Sequence, residues 1–265
     1  MLATNPRHAQ ALLTQATILQ VTGRPDEAQR SCTKLALLVP ALITATCLAD
    51  AASVSGAAER AYAMLRGAVD AAPDAEADVR LWALTALAEI AVRADDPAAA
   101  ERHFRAALAL GIKDAYLLGA YADFLLDRGR VAEARDLLVD ETRADPLLLR
   151  LALAEQALGA PELPAHVDAL VARFAASRLR GDTMHRREEA RFTLHLLNDP
   201  ATALRLATEN WRVQREAWDA RLVLEAALAA DAPSAADDVL RWLTATGLED
   251  PQIAHLVQRF RENAT

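Results

Sequence analysis

Two cysteines, six histidines and a stretch of arginines are the residues of this 265-residue chain whose chemistry could go beyond packing. Cys32 lies eight residues before Pro40 and Cys47 seven after it, so across an antiparallel pair of helices they sit at nearly equal height. A disulfide is feasible there if the Cα atoms approach within about 7 Å, and it would imply an oxidising compartment. Two buried thiols packing as small hydrophobes satisfy the same spacing. Residues 1 to 30 show neither a basic segment followed by an apolar one nor a cleavage site, which tips the choice toward free thiols.

The histidines do not form a metal site. His185 and His195 are ten residues apart, about 15 Å of helical rise, too far to share an ion. His8, His103, His166 and His255 are scattered, and no His-Glu-x-x-His or Cys-x-x-Cys run occurs. There is likewise no glycine-rich phosphate loop and no Gly-x-Ser-x-Gly elbow. The paired carboxylates Asp95–Asp96 and Asp237–Asp238 read as helix starts, where they complement the helix dipole. We therefore expect no catalysis and no cofactor.

Residues 173 to 191 hold six arginines, Arg173, Arg178, Arg180, Arg186, Arg187 and Arg191, against Asp182, Glu188 and Glu189. A helix starting near Thr183 or Met184 places His185, Glu188, Glu189, Phe192 and His195 on one broad face. Two readings follow. Arg186 and Arg187 could make bidentate contacts to an acidic peptide or a small anion, or the charges could form i, i+3 and i, i+4 pairs on a solvated helix face.

The elements that must position these residues are helices. Hydrophobic residues make up 53% of the chain and charged ones 25%, which excludes disorder, and no apolar run approaches the roughly 18 residues that span a bilayer. Aromatic residues are only 5% while Ala and Leu dominate, which disfavours strands. The net charge of -8 argues against a nucleic-acid partner, which calls for a basic face. At this length one compact core is near its limit, so the chain is either two domains or one elongated array.

A period decides for the array. Gly23-Arg24-Pro25, Asp95-Asp96-Pro97, Gly129-Arg130-Val131 and Asn198-Asp199-Pro200 each precede a helix carrying a small residue at a fixed place. Taking Ala28, Ala61, Ala100, Ala134, Ala165, Ala203 and Ala235 as markers gives spacings of 31 to 39 residues. Leu118, Tyr121, Ala122 and Leu125 fall at i, i+3, i+4 and i+7, one face of a helix that must be buried. On these residues, and on Pro146 closing the unit, the chain resembles the tetratricopeptide repeat proteins, whose unit is a helix-turn-helix of about 34 residues. Residues 146 to 197 depart from the pattern, with Arg187 and Arg191 where the family places a bulky apolar and a small residue.

The resemblance implies an all-α fold: an α-solenoid of stacked helical hairpins in a right-handed superhelix, one domain over 1–265 with about seven hairpins and a capping helix over 250–263. Asn5-Pro6 reads as the end of a preceding repeat, so upstream repeats are expected. Carrying over the family's inward positions marks Gln10, Leu13 and Thr17, then Trp82, Thr85 and Glu89, then Tyr116 and Asp123. Together with His185, Arg186, Arg187, Glu189 and Phe192 these form the expected partner-binding groove, with Trp82 and Tyr116 as its anchors. Trp211, Trp218 and Trp242 read as packing. The implied function is a non-catalytic scaffold for a protein or peptide partner, with a small-anion sensor at 173–191 as the alternative, and an accessory domain of a longer enzyme or envelope protein as a third reading. The Ala-rich, Arg-heavy composition looks bacterial, and the cysteine geometry with the expected truncation leans toward the periplasm.

Overall fold

The computed structural model describes residues 7–182 and 186–263, and among these it contains fifteen α-helices and no strand. In order they are α1 (Ala9–Val21), α2 (Pro25–Thr33), α3 (Ala41–Ser53), α4 (Ala58–Asp70), α5 (Ala77–Arg93), α6 (Pro97–Leu108), α7 (Ala115–Asp127), α8 (Val131–Leu138), α9 (Asp145–Leu158), α10 (Leu163–Leu179), α11 (Arg186–His195), α12 (Pro200–Trp211), α13 (Ala217–Ala229), α14 (Asp237–Thr246) and α15 (Pro251–Asn263). A short 3-10 turn, Pro233–Ala236, precedes α14. The fold class is the all-α helical repeat expected from the sequence.

The repeated turn motif has one backbone cause. Gly23, Gly56, Asp95, Gly129, Gly159, Asn198 and Asp231 each end the first helix of a pair, and all seven have positive φ. The left-handed residue lets the next amide reach back to a carbonyl five residues earlier, as Arg24 does to Leu19 (2.8 Å), Asp96 to Ala91 (2.9 Å) and Arg130 to Leu125 (2.9 Å). That satisfies carbonyls a helix end would leave open. Glycine, asparagine and aspartate carry these turns because they reach that conformation at least cost. Asp96 and Asp199 then cap the second helix, accepting from Ala99 (2.9 Å) and Thr202 (3.0 Å), with Pro97 and Pro200 in the first turn.

The chain divides into two compact units. The first comprises residues 1–112, 213–221 and 237–265. Here α1, α3 and α5 pack side by side, with α2, α4 and α6 as their partners. Ala28, Cys32, Ala49, Ala51, Ala58 and Ala61 are buried, small enough for close approach of neighbouring helices. Polar side chains cross the first helices: Gln20 donates to Asp50 (2.9 Å), and Arg93 donates to Ser53 (2.9 Å). The C-terminal residues of this unit dock on its first hairpins. The Arg215 amide donates to Val21 O (2.7 Å), and Glu249 accepts from the Ala58 amide at the start of α4 (3.0 Å).

Cys32 of α2 and Cys47 of α3 are joined by a disulfide, with Cα atoms 5.6 Å apart, and no free cysteine remains. This corrects the preference for thiols. Equal heights on adjacent antiparallel helices bring the two Cα atoms within bonding range, as the spacing allowed.

The second unit comprises residues 113–212 and 222–236. Its first helices α7, α9 and α11 pack in series, backed by α8, α10 and α12. Leu147, Leu148, Leu149, Leu151, Leu170, Phe174 and Phe192 form its core, with the Phe174 and Phe192 rings 5.4 Å apart.

Candidate functional site

In the second unit three residues expected on a binding face, Asp123, Glu189 and Phe192, turn inward. Asp123 of α7 is buried and accepts from Arg150 of α9 (2.9 Å from Nε, 2.6 Å from Nη2) and from Arg191 of α11 (2.7 Å). Arg150 also donates to Gly119 O (3.1 Å) and Pro146 O (2.8 Å). One carboxylate thus ties the first helices of three successive hairpins. Burial alone would raise the Asp123 carboxyl, but the two guanidiniums override it and hold it below the usual carboxylate range. The departure of Arg191 from the repeat pattern has its explanation here: a buried arginine is tolerable because a buried aspartate faces it.

Glu189 is buried against Arg178, and Phe192 is buried in the core. Both were expected in the groove; both instead hold the hairpins together, because the helix face that carries them is covered. Three further arginines of 173–191 are also engaged, while Arg180 stands exposed. Arg173 donates to Asp145 (2.9 Å), Arg186 lies 3.8 Å from Glu209, and Arg187 has partners of its own. His185 lies outside the described residues. His195 sits 3.2 Å from Glu225, and His166 2.8 Å from the buried Glu155. Among the described residues no cluster of His, Cys, Asp and Glu could hold a metal ion. No helix among the described residues is long and apolar enough to cross a membrane.

Two expected anchors do face solvent. Tyr116, at the start of α7, is 65% exposed, and Trp82, in α5 of the first unit, is 36% exposed. Glu89 is half-buried, while Thr85 is buried with its hydroxyl on Leu81 O (2.8 Å). Of the expected packing tryptophans, Trp211 is buried, Trp218 lies under the Arg221 guanidinium at 4.3 Å, and Trp242 points its indole N–H at Gly23 O (3.5 Å). In the first unit Arg24 grips Glu27 through two bonds of 2.6 Å, and Arg30 and Lys34 stand exposed beyond them.

Sequence reasoning missed Arg150, Arg30 and Lys34. Arg150 could have been found as a charged residue inside the apolar stretch Leu147–Ala154. Arg30 and Lys34 give a weaker signal, two cations four apart on a helix that offers them no carboxylate at i±3 or i±4 other than Asp26 and Glu27.

No family model matches this chain, and no curated protein matches it in sequence. Solved structures share its fold. The APC/C hetero-tetramer Cut9–Hcn1 aligns over 97% of this chain at a TM-score of 0.57 and 17% identity, and this chain spans 50% of that one. A tetratricopeptide repeat protein from Parabacteroides merdae aligns over 96% of this chain and 98% of its own length, with a TM-score of 0.53 and 14% identity. The chain therefore has the helical-repeat fold of tetratricopeptide proteins.

Proposed function

We propose that this protein is a non-catalytic scaffold that binds a protein or peptide partner. The carrying observation is Tyr116, a large aromatic left 65% exposed on a first helix whose other apolar residues are mostly buried. Aromatic side chains bury much area on binding at small entropic cost, and a preformed helical surface needs little ordering. Trp82 offers a second such anchor within the first unit. That the Cut9–Hcn1 structure is a hetero-tetramer of two proteins agrees with an assembly role.

The alternative, a small-anion sensor at 173–191, loses support because Arg173, Arg178, Arg186 and Arg191 all face carboxylates of their own unit. The buried disulfide favours an oxidising compartment, which in a bacterium is the periplasm.

A photo-crosslinking residue at 116 or 82 should trap a partner that the Tyr116→Ala and Trp82→Ala variants lose in pull-downs. Unchanged capture by both variants would remove the scaffold reading at these surfaces. Titration of thiols in protein isolated without reductant should find none; two free thiols would overturn the compartment.

A further inference from the structure

We infer that α2 and the cleft it forms with α1 bind an extended acidic peptide segment of the partner. This rests on the scaffold reading and names the chemistry of what is held. Arg24, Glu27, Arg30 and Lys34 line a cleft of about 280 Å³ whose remaining walls are Gln15, Leu19 and Ser31. The Ser31 hydroxyl donates to Gln15 Oε1 (3.0 Å), which leaves the Gln15 amide donors for a ligand. Arg24 and Glu27 neutralise each other. Arg30 and Lys34 are left as exposed cations with no side-chain ion pair among the described residues. The cleft thus offers donors from an amide, a guanidinium and an ammonium; the one carboxylate in its lining, Glu27, is bonded to Arg24 and also feels the Arg30 charge, which leaves the cations in excess.

The cleft does not end at Arg30. A second groove of about 490 Å³ shares Arg24, Glu27 and Arg30 and continues past Asp26 and Ser55 to Ala245, Thr246 and Trp242. A free carboxylate or phosphate would fill one end only. An extended peptide fits both, with carboxylates by Lys34 and Arg30 and an apolar side chain toward the indole, away from Asp26. Long polyanions are disfavoured, because the chain as a whole carries -8.

The test is fluorescence anisotropy on the full chain with a labelled peptide of alternating Glu and Ala ending in Phe, against the same peptide with Gln for Glu. The Glu peptide should bind, weaken with added salt, and lose affinity about tenfold or more in an Arg30→Glu, Lys34→Glu double variant. An Arg186→Gln, Arg187→Gln variant should bind as the parent does. A matching melting temperature for each variant shows that the fold is kept. Absence of binding, equal binding of the Gln peptide, equal competition by free glutamate, or full affinity in the charge-reversed variant would each overturn the proposal. None of these would disturb crosslinking at Tyr116 or Trp82, so the scaffold reading fails or stands separately.

Discussion

The two units secure the same kind of hairpin stack with different chemistry. The first joins α2 to α3 by the Cys32–Cys47 disulfide, while the second joins α7, α9 and α11 by Asp123 between Arg150 and Arg191. Alanine-rich helix surfaces approach closely but constrain alignment weakly, and each unit adds a tie that one alignment alone satisfies. The ties answer to different conditions. A disulfide is indifferent to pH and sensitive to reductant; a buried ion network is the reverse.

Breaking the network one residue at a time is expected to have the largest effect. Asp123→Ala removes the carboxylate shared by the buried Arg191 and the part-buried Arg150 and should cost about 3–5 kcal/mol. Hydrogen exchange should show the loss in α7, α9 and α11. Arg191→Met leaves Asp123 paired with Arg150 and should cost less, about 1–3 kcal/mol. If the two variants are equally destabilised, the network is not centred on Asp123. Acid gives the same contrast without mutation. The folded Asp123 carboxyl lies below its ordinary value near 3.8, so its contribution is complete above that pH and is lost as pH falls through the folded value. The disulfide contributes nothing to that profile.

Removing the covalent tie comes next. The cysteines are 15 residues apart, and a loop of that size corresponds to about 3 kcal/mol of unfolded-state entropy. Reductant, or the Cys32→Ala, Cys47→Ala pair, should lower the stability of the first unit by about that amount and leave protection in α9 and α11 unchanged. A uniform loss across both units would mean that the ties are not local.

The turns sharpen the comparison at smaller scale. Gly23 and Gly129 have matching positive φ, 74 and 68, in equivalent turns. A Cβ at Gly23 would meet the Arg215 Cβ at 2.7 Å and the Trp242 indole nitrogen at 3.0 Å, whereas one at Gly129 meets nothing within 4 Å. Gly129→Ala should therefore cost only the left-handed backbone penalty, about 1–2 kcal/mol. Gly23→Ala adds about 1–3 kcal/mol of overpacking, because it pushes the C-terminal residues off the first hairpin. Equal melting temperatures for the two variants would rule out that docking.

The sequence carried the hairpins well and the ties unevenly. Gly23-Arg24-Pro25 and Asn198-Asp199-Pro200 state the turn directly, since a left-handed residue, a cap and a proline each leave a local mark. Cys32 and Cys47 were legible as a pair because helical height can be counted from Pro40. The Asp123 network was not, because Arg191 lies 68 residues away. Asp123 was assigned to the binding face from its place on the first helix, but what covers a helix face is decided by residues far along the chain. Tyr116 was placed by the same reasoning and does face solvent, because it lies in the first turn of its helix rather than midway along it. The boundary near Ile112 has no sequence mark, since the connection from α6 to α7 resembles any other between hairpins.

The smallest expected effect separates the pH responses of the units. The His103 ring of α6 lies 2.9 Å from the Tyr62 hydroxyl of α4, edge-on to its ring. Burial, then the Arg102 and Arg66 charges, push the imidazole below its ordinary 6.5, opposed by Asp70 and Asp96. The folded first unit therefore binds fewer protons there than the unfolded chain does. Its stability is fully present above about pH 6.5 and declines as pH drops toward the folded value, because the unfolded ring gains its proton first. A neutral ring with its proton on Nδ1 can accept from the Tyr62 hydroxyl at Nε2, and protonation removes that acceptor. His103→Gln should flatten the difference in stability between pH 7.5 and 5.5 for the first unit, read by hydrogen exchange in α4 and α6. The second unit should show the same profile in parent and variant. A variant whose first unit keeps the parent's slope would place that dependence on other groups and leave Tyr62–His103 as packing alone.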